Sequence, residues 1–459
     1  MKMKILLFFL VSLDLVAGNQ VFPHLHGEAM GQGFVDRYIG IVGCAVMILM
    51  AVLLSSNRKK IPWRLIIFGL GLQFLFAYSV LKLKVGRSFF ETANNVIVKI
   101  LSFSNEGAHF LFGNLILDDI PIKGPGELNM VVHTGSLFAF SVLPTIIFFS
   151  ALTAVLYHVR ILEWIVRGMS YVMCRTMKVS GAESFSAAVN IFVGQTEAPL
   201  LIKPFLGNMT RSEIMAVMTG GFSNVSGGVM AAYVAILATS FPDIAGHLLA
   251  ASIMSAPASL VFAKIIMPET EKPVTSDSSG IILEKQDLNI LDAAARGTTD
   301  GLFLALNVGA MLIAFIALIA CLNFGFSTLS SLIGFPGVSL ELIFSKFFSP
   351  LAWLLGVPWV DAHLVGGLLG TKTVMNEMVA YLNMAPQIQA GNFQYTKSII
   401  IATYALCGFA NFSSIGIQVG GLSTMAPHRR SDFAKLGLKA MIAGSLASFQ
   451  TAAMAGILL

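Results

Sequence analysis

Residues 194–205 read GQTEAPLLIKPF, from Gly194 to Phe205, and set Gln195, Thr196 and Glu197 in a row between two hydrophobic stretches. A carboxylate in hydrocarbon is costly unless a partner or a hydrated cavity receives it, so Glu197 marks either a functional site or a buried cap. The flanking segments are each too short to cross a hydrocarbon core of about 30 Å, which takes roughly 20 apolar residues. They fit a re-entrant hairpin. Its first arm opens at Ser180 with Glu183 three residues on, the spacing of a capping box, and its second arm closes near Lys203. In this reading Thr196 caps the second arm, Glu197 lies in its first turn facing the positive end of the helix dipole, and Pro199 occupies a turn whose amides lack helical partners anyway.

The rest of the chain demands a membrane. Of 459 residues 56% are hydrophobic and 12% charged, against about 25% charged in soluble domains. The mean hydropathy is +0.80. The net charge of +5 comes with no basic run longer than Arg58-Lys59-Lys60, which excludes a clustered nucleic-acid-binding face. Cys44, Cys174, Cys321 and Cys407 are scattered through apolar segments without metal-type or disulfide-framework spacing, and read as packing residues. The start, MKMKILLFFLVSLDLVAG, has the pattern of a secretory signal, weakened by Asp14. It puts the polar stretch Asn19 to Arg37 outside the cytoplasm.

Working outward, a first span from about Tyr38 to Leu54 stops at Asn57-Arg58-Lys59-Lys60, which the positive-inside rule places in the cytoplasm. A second span, about Pro62 to Leu81, returns, and Gly86 to Glu106 reads as an interfacial amphipathic helix. Lys82, Lys84 and Arg87 then fall on the outer side, against the rule. A third span is expected from about Leu128 to Tyr157. After the hairpin, Thr210-x-x-Glu213 opens a long segment interrupted by GGFSNVSGG, Gly220 to Gly228, which reads as a broken helix. A span from Gly246 to Met267 leads to a polar loop, Pro268 to Gln286.

The second half repeats the plan. An amphipathic stretch (Ile290 to Arg296), a span (about Leu302 to Leu322) and an interfacial segment (about Ser339 to Phe348) precede a second pair of short arms around GTKTVMNE, Gly370 to Glu377. Ser398 to Ala426 is interrupted by GFANFSS, Gly408 to Ser414, and a last span ends at Leu459. Arg429, Arg430, Lys435 and Lys439 put the preceding turn inside, so the second hairpin enters from the opposite side to the first. Both termini are then extracytoplasmic. Inverted repeats with paired breaks mark secondary transporters.

Polar chemistry gathers at the breaks. Gln195, Thr196 and Glu197 offer donors and acceptors suited to a polar, uncharged heterocycle or sugar. Asn376 and Glu377 reach the same depth from the other side, joined by Asn411, Ser413 and Ser414; the alternative for these is hydrogen bonding between helices, at about 0.6 kcal/mol each. Lys372 either neutralises a carboxylate or reaches the outer interface. The break near Asn224 frees backbone carbonyls that could gather a small cation, whereas His133, His158 and His363 are isolated and make a poor proton relay. Rival readings are an intramembrane hydrolase using Ser413 or Ser414, which lacks a GxSxG elbow, a passive channel, and a transporter of another polar solute.

The motifs GQTEAPLLIKPF, TGGFSNVSGG, GTKTVMNEMVAYL and GFANFSSIGIQVGG, in this order, resemble those of the concentrative nucleoside transporters, and the likeness covers nearly the whole chain after its N-terminal segment. It implies an all-α polytopic fold with inverted repeats, two re-entrant hairpins and two broken helices, resembling the bacterial members with eight spans. It also implies a homotrimer in the lipid bilayer, built from a scaffold and a mobile transport domain. The corresponding division is 1–37 (signal-like segment and extracytoplasmic N-terminus), 38–178 (scaffold helices and interfacial helix), 179–267 (first transport-domain repeat), 268–349 (cytoplasmic loop, scaffold helix, interfacial segment) and 350–459 (second, inverted repeat).

By the same resemblance Gln195, Thr196 and Glu197 hydrogen-bond a nucleobase, Val229 and Phe409 pack against it, and Glu377, Asn411 and Ser414 hold the ribose hydroxyls. A sodium site is implied at the carbonyls of Asn190, Val193 and Val225 with a side chain at Asn224, where the family usually has Ser or Thr. The intact GQTEAP supports sodium over protons as the coupling ion. The expected activity is sodium-coupled import of nucleosides such as uridine across a cell membrane, with proton coupling as the alternative; no enzyme activity and no other cofactor is expected.

Overall fold

The computed structural model describes residues 34–117, 119–123, 129–133, 137–275, 287–332, 334 and 338–459. The signal-like start and residues 276–286 of the polar loop lie outside the described residues.

The chain opens with α1 (Phe34–Leu53), α2 (Trp63–Leu81) and the long α3 (Lys84–Phe112). A small antiparallel hairpin follows, β1 (Asp119–Lys123) and β2 (Asn129–His133), pairing Asp119 with His133 and Lys123 with Asn129. The third span therefore starts later than Leu128. The β-branched Val131 and Val132 extend as strand, and the span forms from α4 (Phe138–Ser141) and α5 (Leu143–His158). Next come α6 (Ile161–Met177), α7 (Gly181–Val189), a 3₁₀ segment at Ala198–Ile202, α8 (Lys203–Leu206), α9 (Arg211–Ser223), α10 (Gly227–Leu237) and α11 (Ile244–Ile266).

In the second half α12 (Ile290–Leu332) runs unbroken for 43 residues, fusing the amphipathic stretch and the span that the sequence suggested as separate pieces. It is followed by α13 (Leu340–Leu354), α14 (Trp359–Val374), α15 (Glu377–Gln389), α16 (Thr396–Leu406), α17 (Phe412–Met425) and α18 (Arg430–Leu458). The axes of α13 and α14 meet at 118°. Gly366 and Gly370 let them approach: a Cβ at Gly370 would stand 2.2 Å from Phe344. By length and composition six of the described helices or helix pairs can cross a membrane, or seven counting α13–α14. Tyr38–Leu53 and Thr396–Leu406 are apolar but shorter.

Burial sorts these elements into two groups. The apolar windows of Arg211–Leu237, α11 and Pro427–Leu458 are 89%, 89% and 83% buried, whereas that of α12 is 11% buried. The first group packs on itself, α18 lying against α9, α11 and α16, while α12 lies mainly along α5. An apolar helix that packs along one neighbour and leaves most of its surface uncovered needs lipid or another subunit for that surface. Phe303, Ile313 and Phe324 on α12 are such exposed residues.

Candidate functional site

The base of the first hairpin is pinned by two capping boxes joined by one bond. Ser180 caps α7 with Glu183, and Thr210 caps α9 with Glu213, as the spacing predicts. The Ser180 hydroxyl donates to Glu213 at 2.7 Å, and Thr210 Oγ1 donates to Glu269 at 2.9 Å. Lys264 from the end of α11 pairs with Glu183, donates to Ser212 at 2.8 Å and reaches Glu269 at 3.2 Å. Burial pushes the Glu269 carboxyl up, but Lys264 and the Glu271 amide outweigh it and hold the group below its ordinary value. The second repeat uses one carboxylate for the same purpose: Asp361 in the first turn of α14 accepts from the Gln394 and Tyr395 amides and from Ser398 Oγ at the start of α16.

From this base α7 is buried along its whole length, and its end carries the tip into the first break. The Gly227 amide donates to the Phe192 carbonyl at 2.9 Å. Thr196 does not cap the second arm. That arm is a 3₁₀ turn preceded by Glu197, without a side-chain cap, because Pro199 and Pro204 withhold amides from a regular helix. The Glu197 carboxylate instead turns back to accept from the Gly194 amide at 2.8 Å. A Cβ at Gly194 would sit 3.4 Å from Ser226, so the tip presses on the cap of α10. Gln195 lies beside Gly221 and Gln418, and the Thr196 methyl beside Gly421, which brings the tip against α17.

The second tip is shorter than the eight-residue motif suggested. Gly370 to Val374 complete α14, and only Met375 and Asn376 turn the chain. Asn376 caps α15 by accepting from the Val379 amide at 2.9 Å. Glu377, 4% exposed, receives Tyr233 Oη at 2.8 Å and Asn411 Nδ2 at 3.0 Å. The other end of the Asn411 side chain accepts from the Ser414 amide at 2.9 Å and Ser413 Oγ at 2.7 Å, capping α17. Lys372 is buried and donates to the Ala405 carbonyl at 2.7 Å near the end of α16, so it does not reach the outer interface.

The two breaks touch. Phe409, half-buried, donates its amide to the Asn224 carbonyl at 3.3 Å, and Val229 is buried in the first turn of α10. Thus the start of α17 is bonded to the start of α15 through Asn411 and Glu377 and to the first break through Phe409 and Asn224, and the starts of α10, α15 and α17 are each capped by a polar side chain. Of the sequence-selected residues, Glu377, Asn411 and Ser414 form one bonded group, and Gln195 and Thr196 join it through α17.

Tyr233 escaped the sequence reading because it sits two turns inside an apolar half-helix and looks like core. Gln418, buried and donating to the Met218 carbonyl at 3.0 Å, escaped for the same reason. His363 is exposed, and the side chain of His133 falls outside the described residues.

No hydrogen bond of the described residues ends on the carbonyl oxygens of Asn190, Val193 or Val225. These are hard oxygen ligands at a turn and a break that adjoin, a donor set suited to sodium. Among the described residues no cluster of three His, Cys, Asp or Glu side chains could hold a metal.

Models of protein families described as "Na+ dependent nucleoside transporter N-terminus", "Nucleoside recognition" and "Na+ dependent nucleoside transporter C-terminus" match residues 42–115, 139–240 and 247–456. The chain belongs to the Na+ dependent nucleoside transporter family. Among similar members, "Uncharacterized transporter YutK" of Bacillus subtilis is 45% identical over 419 residues, 91% of this chain and 98% of that protein. "Sodium/nucleoside cotransporter 1" of Rattus norvegicus is 38% identical over 436 residues, 92% of this chain but 64% of its own length. CNTnw, solved in an inward-facing substrate-bound state, is 39% identical with a TM-score of 0.82, covering 92% of this chain and 98% of its own. A CNTnw variant in an outward-facing state aligns with a TM-score of 0.84. As a member of this transporter family the chain is a multi-pass membrane protein with sodium as coupling ion, and not an enzyme, which removes the hydrolase reading.

Proposed function

We propose that this protein is a sodium-coupled symporter that imports nucleosides by alternating access, with residues 179–267 and 350–459 forming a mobile transport domain. The observation that carries the reading is Glu377 at the start of α15, held by Tyr233 of α10 and by Asn411 at the start of α17. A carboxylate fixed by two donors keeps lone pairs for a vicinal diol, which fits a ribose rather than a free base. Asn411 and Ser414 complete that end. Gln195, Thr196 and Glu197 serve the base, which packs between Val229 and Phe409. Sodium bound by Asn190, Val193, Asn224 and Val225 seats the first tip against the break, so that the nucleoside site is complete only with the ion present.

Movement of such a domain is favoured by its smooth boundary. A Cβ at Gly228 would stand 3.0 Å from Ser150 Oγ on α5, and one at Gly227 would stand 3.6 Å from Thr153 Oγ1. Small side chains interlock little. The bare surface of α12 suits lipid and the subunit contacts of a homotrimer, with both termini extracytoplasmic.

Uptake of labelled uridine and adenosine into proteoliposomes, with sodium and pH gradients imposed separately, tests the reading. Accumulation driven by inward sodium alone is the expected result. Accumulation driven only by a proton gradient would establish the proton-coupled alternative, and equilibration without accumulation a passive channel.

A further inference from the structure

Asn224 stands at the first break, 2% exposed, and its side-chain amide meets Ser255 of α11. Ser255 Oγ contacts Asn224 Oδ1 and also lies 3.0 Å from the carbonyl of Ser252. A hydroxyl has one proton and cannot donate to both acceptors. Meanwhile Asn224 Nδ2 has no partner, and an orphaned buried donor costs about 1–3 kcal/mol. Rotation of the amide by half a turn exchanges its ends with almost no change in shape. In the rotated state Nδ2 donates to Ser255 Oγ, whose own proton goes to the Ser252 carbonyl. The hydroxyl proton and one amide N–H then each have an acceptor. The end left over is Oδ1, an acceptor, and a cation can satisfy it where no cation could satisfy Nδ2.

We propose that Ser255 is a positioning residue for the ion: it holds the amide nitrogen of Asn224 and thereby turns the amide oxygen into a ligand for sodium. This rests on the sodium-symport reading above. A hydroxyl suits the role because it accepts in the ion-bound state and donates in the ion-free state, so that the amide can change ends without losing its partner. An Asn at this position thus does what a Ser or Thr hydroxyl would do, provided that the serine on α11 is present. Alanine at 255 removes that partner, and the amide then keeps its orphaned donor whichever way it faces.

The test is sodium-dependent thermal stabilisation of the purified full-length protein without nucleoside, in choline chloride balanced for ionic strength, alongside sodium-activated uridine uptake. Ser255→Ala is expected to raise the half-saturating sodium concentration at least tenfold in both measurements. Asn224→Ser is expected to bind sodium on its own, and adding Ser255→Ala to it should change that concentration less than twofold. A structural role alone would lower the unfolding temperature equally in both backgrounds and leave the sodium concentration unmoved; that result overturns the proposal, as does an equal sodium shift in both. A wild-type protein that neither is stabilised by sodium nor uses it for uptake would overturn the symport reading, and this proposal with it.

Discussion

The amide of Phe409 donates to the carbonyl of Asn224 at 3.3 Å, so the break in one repeat is bonded directly to the break in the other. The bond links the residue expected to face the base with the residue expected to face the ion, and gives the two ligands a common mechanical frame. It also explains the local backbone: Gly408 has φ 143°, and a Cβ there would meet the Phe222 carbonyl at 2.9 Å and Ser448 Oγ at 2.8 Å.

Gly408→Ala should therefore cost about 3 kcal/mol or more, from backbone strain and overpacking together. The expected outcome is a clear drop in thermal unfolding temperature with loss of uptake. An Ala variant as stable as wild type would show that the junction is not tightly packed.

Glu377→Gln replaces one accepting oxygen by a donor against Tyr233 or Asn411, at a buried position. Loss of a charged hydrogen-bonded centre corresponds to roughly 3 kcal/mol, or about 100-fold in uridine affinity. Tyr233→Phe removes one donor and leaves the other, so a smaller loss of roughly tenfold is expected. Equilibrium binding of labelled uridine separates the two, and full binding by the Gln variant would remove Glu377 from the site.

Much of this arrangement is legible in the sequence. The spacing Ser180–Glu183 and Thr210–Glu213 declares two helix starts, and Asn224, Asn376 and Asn411 mark interruptions because a polar amide in an apolar run has to cap or ligate something. What stayed hidden depends on partners distant in sequence. Nothing local in α10 distinguishes Tyr233, whose hydroxyl meets Glu377 across 144 positions, from a packed aromatic. Lys264 lies near the end of an expected span, and nothing local marks it as the partner of two carboxylates and a hydroxyl. The second arm of the first hairpin reads in sequence as a helix with Thr196 as its cap, since the two prolines found with its 3₁₀ turn are each compatible with a first helical turn.

Gly221→Ala tests the contact between the first tip and α17. Its Cβ would stand 2.2 Å from Gln418 Nε2, the far end of a flexible side chain that can swing away, and 2.9 Å from Gln195 Cβ, which can move only with the backbone of the tip, so the tip is pushed back from α9. The fold should survive while Gln195 and Gln418 shift. A rise of about tenfold in the uridine KM, equivalent to about 1.4 kcal/mol, with the unfolding temperature nearly unchanged, is the expected signature. Equal losses in stability and uptake would instead make Gln418 a packing residue.

Glu269 provides a pH test of the hairpin base. Its carboxyl is held below its ordinary 4.5 in the folded protein, so the folded state favours the ionised form. The resulting stability is present above 4.5 and is lost as pH falls through the depressed folded value. Glu269→Gln keeps the shape and removes the charge that faces Lys264, and should cost about 2 kcal/mol at pH 7. Thermal unfolding of both proteins between pH 7 and pH 3 should show a constant gap down to about pH 5 that closes below it. A gap that widens on acidification would mean that Glu269 is protonated in the folded protein and that Lys264 relies on Glu183 alone.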